Sequence, residues 1–199
     1  VCGPAHGEVF FKEFSIKVSG IKIGKLFWEM KIDENSYFNS LNLKSEGLLS
    51  KIYRFEGNYY SEGIVKQNKL FPKKYEHFWK TKKIEKKMEL IFQNDGLYSL
   101  KQTPIEKERL RINVFEIKKS NDPLTSFLQI ILGETTSLVV DGRRIYSMNA
   151  FSNKKNNETI IEISDYSNLW ADHKRSKFER ITFHKKERDL FPLKINIYF

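Results

Sequence analysis

The chain has 199 residues with a formal net charge of +10, and its 40% hydrophobic and 14% aromatic content exclude a wholly disordered protein. That length allows one sizeable core, and no apolar run approaches the roughly 20 residues that a membrane-spanning helix needs. A single cysteine, Cys2, excludes an intrachain disulfide, a thiolate zinc site and a Cys-x-x-Cys redox pair.

Taken in chain order, the sequence opens with Val1 rather than Met and carries Ala5-His6-Gly7 ahead of Glu8. Small residues at Ala5 and Gly7 suit signal-peptidase recognition, so residues 1–7 read as the remnant of a signal peptide, with ordinary N-terminal residues as the alternative. Val1 is a poor neighbour for an acylated Cys2, which argues against a lipoprotein. From residue 8 to 199 no linker is evident, and one β-rich domain is expected.

Period-two alternation then recurs. It covers residues 9–18, and it continues with Leu26, Trp28, Met30 and Ile32 set against Lys25, Phe27, Glu29 and Lys31. Further strands are expected at 37–44, 59–65, 75–81, 85–92 and 109–117. A helix follows at 122–133: Asp122 suits the cap, Pro123 the first helical position and Gly133 the exit, while Leu124, Phe127, Leu128 and Ile131 share one face. After it, alternation returns at 145–151, 158–163, 177–184 and 193–199. Turn signals at Asp33-Glu34-Asn35-Ser36, Asn94-Asp95-Gly96, Asp141-Gly142 and the Asn/Lys-rich stretch 153–157 separate these runs. About ten strands and one apolar helix predict a strongly curved antiparallel sheet, or an incomplete barrel, wrapped around a central helix at 122–133; a sandwich is the alternative.

Several short pieces in fixed order carry a family resemblance: Gly20-Ile21-Lys22-Ile23-Gly24, Ser45-Glu46-Gly47-Leu48-Leu49, Ser61-Glu62-Gly63, Leu70-Phe71-Pro72-Lys73-Lys74-Tyr75, Asp122-Pro123-Leu124, Val139-Val140-Asp141-Gly142-Arg143-Arg144 and Phe191-Pro192-Leu193. Together they resemble domain-of-unknown-function family 3108, exported proteins of Gram-negative bacteria. The resemblance implies a periplasmic or envelope location and an open β-barrel around a helix, broadly similar to lipoprotein carriers. It implies no reaction. The strands after Gly142 lack the cysteines that many relatives have.

The charge is concentrated. Residues 66–87 hold nine lysines against two glutamates, a local excess of +7, interleaved with Phe71, Tyr75, Phe78 and Trp79. An anionic envelope surface could be met by Lys73, Lys74, Lys82 and Lys83 with Trp79 at the interface. A plain solvated sheet face fits the same pattern, since lysines on exposed edges discourage aggregation. Single-stranded nucleic acid also attracts lysines and rings, but it is the weakest of the three and is not expected as a partner.

Asp141-Gly142 between Leu138-Val139-Val140 and Ile145-Tyr146 predicts a type I′ hairpin. Arg143 beside it is the best charged site candidate, its guanidinium forked onto a ligand carboxylate or phosphate and oriented by Asp141 or Tyr146; a turn with a salt bridge or a solvated arginine is the structural alternative. His6, His77, His173 and His184 show no metal-ligand or triad spacing, and the chain has no phosphate-binding loop and no nucleophile elbow. No enzyme activity and no cofactor are expected.

If the curved sheet leaves a hollow, Trp28, Met30, Phe127, Leu128 and Ile131 would line it; a filled core is the alternative. The sequence therefore points to a non-catalytic periplasmic binding or carrier protein for an apolar or lipid-like ligand, touching anionic membrane peripherally, with an envelope protein-protein scaffold as the second reading.

Overall fold

The computed structural model describes residues 8–51, 54–153, 157–170, 178–186 and 189–198. The signal-peptide reading of residues 1–7, Cys2, His6, His173 and most of the 153–157 turn fall outside them. The chain divides into two compact units, the first of residues 1–93 and 98–106 and the second of 94–97 and 107–199.

Over residues 9–103 alternation becomes an antiparallel meander. The strands are β1 (Val9–Val18), β2 (Ile21–Ile32), β3 (Ser36–Ser45), β4 (Phe55–Lys66), β5 (Lys69–Thr81), β6 (Glu85–Gln93) and β7 (Gly96–Thr103), each paired with its chain neighbour in one seven-stranded sheet. Two-residue turns with positive φ at both positions connect three of these pairs, at Ser19-Gly20 (49° and 81°), Gln67-Asn68 (50° and 60°) and Asn94-Asp95 (48° and 63°). That backbone twist matches the twist of paired strands.

Register explains the core. Met30 faces Asn39, Asn39 faces Ser61, Ser61 faces Tyr75 and Tyr75 faces Leu90, a single row across five strands in which every residue is buried. Asn39 is tolerated there because its Oδ1 accepts the indole N–H of Trp28 at 2.6 Å, satisfying two buried polar groups at once. Between Glu62 and Gly63 the register with β5 shifts, leaving Lys73 without an opposite residue and Pro72 at the bulge, where a missing N–H costs no central ladder bond.

The second unit contains β8 (Ser120–Asn121), α1 (Pro123–Ile131), β9 (Thr136–Val140), β10 (Arg144–Asn153), β11 (Glu158–Asn168), β12 (Arg180–His184) and β13 (Lys194–Tyr198). These strands form a second sheet in the order β13-β12-β11-β10-β9-β8. Only β8 and β9 are parallel, and parallel neighbours need a crossover, which α1 supplies. Asp122 caps the helix, accepting from Leu124 N (2.9 Å), Thr125 N (3.0 Å) and Thr125 Oγ1 (2.5 Å). At the exit Gly133 takes φ 113°, and the bonds Gly133 N to Ile130 O and Glu134 N to Gln129 O close the last turn. The helix buries Thr125, Ser126 and Ile130 besides Leu124, Leu128 and Ile131, a wider face than the expected stripe.

The mainly β class with one α-helix holds, but the sheet expectation is corrected. Instead of one curved sheet of about ten strands wrapped around the helix, there are separate sheets of seven and six strands, neither closed into a barrel, and α1 belongs to the smaller one. Alternation reveals strands but not which strands share a sheet. The expected strand at 109–117 is also absent: Asn113 Nδ2 donates to Glu116 Oε1 (2.6 Å) across a 3-10 turn at Val114–Glu116 with Val114 buried, and only Leu110 bridges to Trp170.

Candidate functional site

The lysine-rich hairpin resolves into paired and unpaired charges. Along the solvent face of β5 and β6, the Lys74 ammonium lies 3.0 Å from Glu76 and 3.9 Å from Glu89, and Glu85 lies 2.9 Å from Lys80 and 3.6 Å from Lys87. The hydrogen bond from Lys80 holds the Glu85 carboxyl below its usual range, and that to Glu76 raises the Lys74 ammonium. Lys87 also sits 5.6 Å above the Phe78 ring. This part of the stretch is a self-neutralised sheet surface.

The hairpin tip is different. Thr81 N donates to Ile84 O (2.8 Å), and Thr81 Oγ1 accepts from the N–H groups of Lys83 (3.3 Å) and Ile84 (3.1 Å), fixing the turn. Lys82 and Lys83 are exposed on it, and Ile84 leaves 49% of its surface to solvent. The Lys82 ammonium donates to the backbone carbonyl of exposed Lys51, bringing a distant chain segment against the tip. Lys73 is exposed at the bulge. Trp79 takes no part in this cluster: it lies on the opposite face of β5 from Lys74 and Lys80, half-buried and stacked on Phe55 with ring centroids 5.7 Å apart. Gly57 makes room for it, since a Cβ there would come within 2.8 Å of the Trp79 ring.

An open cleft of about 380 Å³ lies on the first unit beside the bulge, lined by residues including Lys31, Asp33, Phe38, Tyr60, Glu62 and Lys73. Phe38 and Tyr60 stack at 6.4 Å, the Tyr60 hydroxyl donates to Glu62 at 2.7 Å, and Lys31 pairs with Asp33 at 3.0 Å. Burial, followed by the Glu62 carboxylate, pushes the Tyr60 phenol up to about 12. Most of its charge is cancelled internally.

In the second unit, the segment joining β9 to β10 does not form the expected type I′ turn, because only Gly142 takes a positive φ there, 82°. The Asp141 side chain organises it instead, accepting the backbone N–H of Arg143 (2.9 Å) and of Arg144 (2.8 Å). The Asp141 carboxyl also pairs with the Arg144 guanidinium, at 3.2 Å from Nε to Oδ2. Arg144 also lies over the Tyr166 ring at 5.9 Å, and Tyr166 stacks on buried Tyr146 at 6.2 Å. Burial raises the Asp141 carboxyl against the pull of both arginines and both N–H groups. For Arg144 burial acts downward, but the Asp141 carboxylate and the neighbouring phenols outweigh it and leave the guanidinium raised. Burial drives the Tyr146 phenol well above its ordinary value. A cleft of about 420 Å³ opens beside Tyr166, lined by Arg111, Ile112, Ser167 and Asn168 as well. Tyr166, Asn168 and Arg111 carry no local motif, and only strand register and the 109–113 loop bring them here.

The expected cavity-lining residues are packed. Trp28, Met30, Leu128 and Ile131 are each 3% exposed or less, and Phe127 is half-buried, edge-on to Phe183 at 5.6 Å. Neither cleft is lined by them. His77 stacks on Tyr59 at 4.4 Å, and His184 lies 3.6 Å from Glu158. Among the described residues, no three His, Cys, Asp or Glu side chains gather as a metal site, and no helix is long and apolar enough to cross a membrane.

No curated protein and no solved structure matches the chain. A family model described as Protein of unknown function (DUF3108) matches residues 13–167, a span running from β1 through most of β11 that takes in the lysine-rich tip, α1 and the Asp141–Arg144–Tyr166 cluster. The chain therefore belongs to family DUF3108.

Proposed function

We propose that this protein is a non-catalytic binding component of the Gram-negative envelope, exported to the periplasm, that docks peripherally on anionic lipid through the tip of the β5–β6 hairpin. The observation that carries the reading is the gathering of Lys82, Lys83 and the Lys51 segment around exposed Ile84 on a turn fixed by Thr81. Each lysine near an anionic surface contributes about 1 kcal/mol, and an apolar side chain entering the interface adds to that. The export part of the reading is supported by the family resemblance. The lipid-like ligand is met at the surface in this reading, because Trp28, Met30, Leu128 and Ile131 offer almost no accessible area.

Sedimentation with vesicles tests it. Binding to phosphatidylglycerol-containing vesicles is expected, with loss at high salt, in the Lys82→Glu/Lys83→Glu variant, and on pure phosphatidylcholine. Equal binding to both vesicle types, no binding at all, or binding untouched by the double charge reversal overturns the reading.

The scaffold reading keeps one observation in its favour. Strand β1 pairs only with β2 among the described residues and leaves Val9 and Phe11 50% and 61% exposed, an edge able to accept a strand from a partner. A partner bound there would slow amide exchange along residues 9–18, and unchanged exchange in the presence of envelope extract would remove this alternative.

A further inference from the structure

We propose that the cleft of the second unit is an oxyanion site, taking the phosphate or carboxylate group of a small ligand between Arg111 and the Arg144–Tyr166 pair.

The fold assembles this cleft from three stretches. In the register of β10 with β11, Arg144 faces Asn168 and Ile145 faces Ser167, but Ser147 faces Ser164, so two residues of β11 oppose one of β10. Asp165 absorbs the extra residue with a positive φ of 52°, a conformation that L side chains adopt at a cost. A bulge of this kind re-aims the side chain beside it, which here is Tyr166. Tyr166 and Asn168, two residues apart, and Arg144 opposite Asn168 then occupy one face. The opposite wall comes from the loop that replaces the expected strand at 109–117: Arg111 N donates to Leu169 O at 2.8 Å, fixing Arg111 and Ile112 at the cleft.

The polar groups of the lining suit an anion. None of the five lining residues carries a carboxylate, and the nearest acid in sequence, Asp165, accepts from the Ser164 hydroxyl at 2.9 Å. Arg111 is exposed, with no carboxylate within 4.0 Å among the described residues. Ser167 and Asn168 add a hydroxyl and an amide, both able to donate. Behind the Tyr166 ring, Arg144 is held in place by the 3.2 Å contact with Asp141 and by the ring itself, so its orientation is set before a ligand arrives. In the first unit the cleft pairs Lys31 with Asp33 and Tyr60 with Glu62, whereas the lining here holds Arg111 and no carboxylate.

Isothermal titration of the full chain with inorganic phosphate, with succinate and with a soluble short-chain phosphatidylglycerol tests the site and separates free oxyanions from lipid headgroups. Binding of at least one probe is expected, weakened tenfold or more in Arg111→Gln and in Arg144→Gln. Arg111 is exposed and makes no ion pair that folding needs, so Arg111→Gln should retain the native circular dichroism spectrum even where Arg144→Gln does not. The hairpin variant Lys82→Glu/Lys83→Glu should bind the two free oxyanions unchanged, which keeps this result separate from membrane docking. Absence of binding by all three probes, or binding indifferent to Arg111→Gln, overturns the assignment.

Discussion

The two units reach a buried core by different chemistry. The seven-stranded sheet is a meander of chain neighbours whose interior is mostly hydrocarbon and aromatic, with Asn39 and the Trp28 indole satisfying each other inside it. The six-stranded sheet depends on buried carboxyl groups: Asp122, fully buried, holds the start of α1, and Asp141 holds both the β9–β10 loop and Arg144. Burial of an apolar row tolerates small errors of geometry, but a buried carboxylate is tolerated only while its donors stay in place. The second unit is therefore expected to be the more sensitive to single polar substitutions, and it is also where strain and fixed charge accumulate beside a cleft.

The sharpest way to break this contrast is Asp122→Ala. It removes three hydrogen bonds at a fully buried cap and leaves two backbone N–H groups without that partner, so a loss of about 2–4 kcal/mol is expected in urea unfolding. A loss below about 0.5 kcal/mol would mean that the helix does not rely on its cap. Next in size is Asn39→Ala in the first unit, which removes the Oδ1 that accepts the Trp28 indole N–H and should cost about 2–3 kcal/mol. If Asn39→Ala proved costlier than Asp122→Ala, the ranking of the two units would reverse.

A third test uses pH. Burial lifts the Tyr59 phenol to about 12, so the folded chain keeps a proton that the unfolded chain releases at about 10. Stability from this group is complete below pH 10 and declines as pH rises towards 12, by up to about 3 kcal/mol. Tyr59→Phe should flatten that decline in alkaline titrations of unfolding; an identical slope would show that Tyr59 ionises as if exposed. The smallest expected effect is that of Lys82→Glu/Lys83→Glu on stability, within about 0.5 kcal/mol, because both side chains are exposed on a turn fixed by Thr81.

What could be read from the chain follows the range of the interaction involved. Strand β1 runs over the expected 9–18, and the helix starts at the expected cap and ends before Gly133, since alternation, Asp-Pro and Gly are local signals. Sheet membership is not legible, because nothing local to β8 shows that it pairs with β9 across the intervening helix rather than extending the sheet that ends at β7. Residues 109–117 alternate like a strand, yet Asn113 and Glu116 bond to each other across a turn. Asp141-Gly142 is legible as a turn signal, whereas the pairing of Asp141 with Arg144 is not, because it depends on the backbone that the Asp141 side chain organises rather than on spacing. Trp79 lies among lysines in sequence but on the opposite face of β5 from Lys74 and Lys80, the ordinary consequence of a two-residue period.

Docking through the hairpin tip is tested most directly by a polarity-sensitive fluorophore on Ile84→Cys in a Cys2→Ser background, with Tyr98→Cys, exposed on β7, as the reference position. On addition of phosphatidylglycerol vesicles at physiological salt, the probe at position 84 should shift to the blue while the probe at position 98 stays as in buffer, and neutral vesicles should shift neither. A shift at position 98 alone, or none at position 84, would contradict docking through this tip.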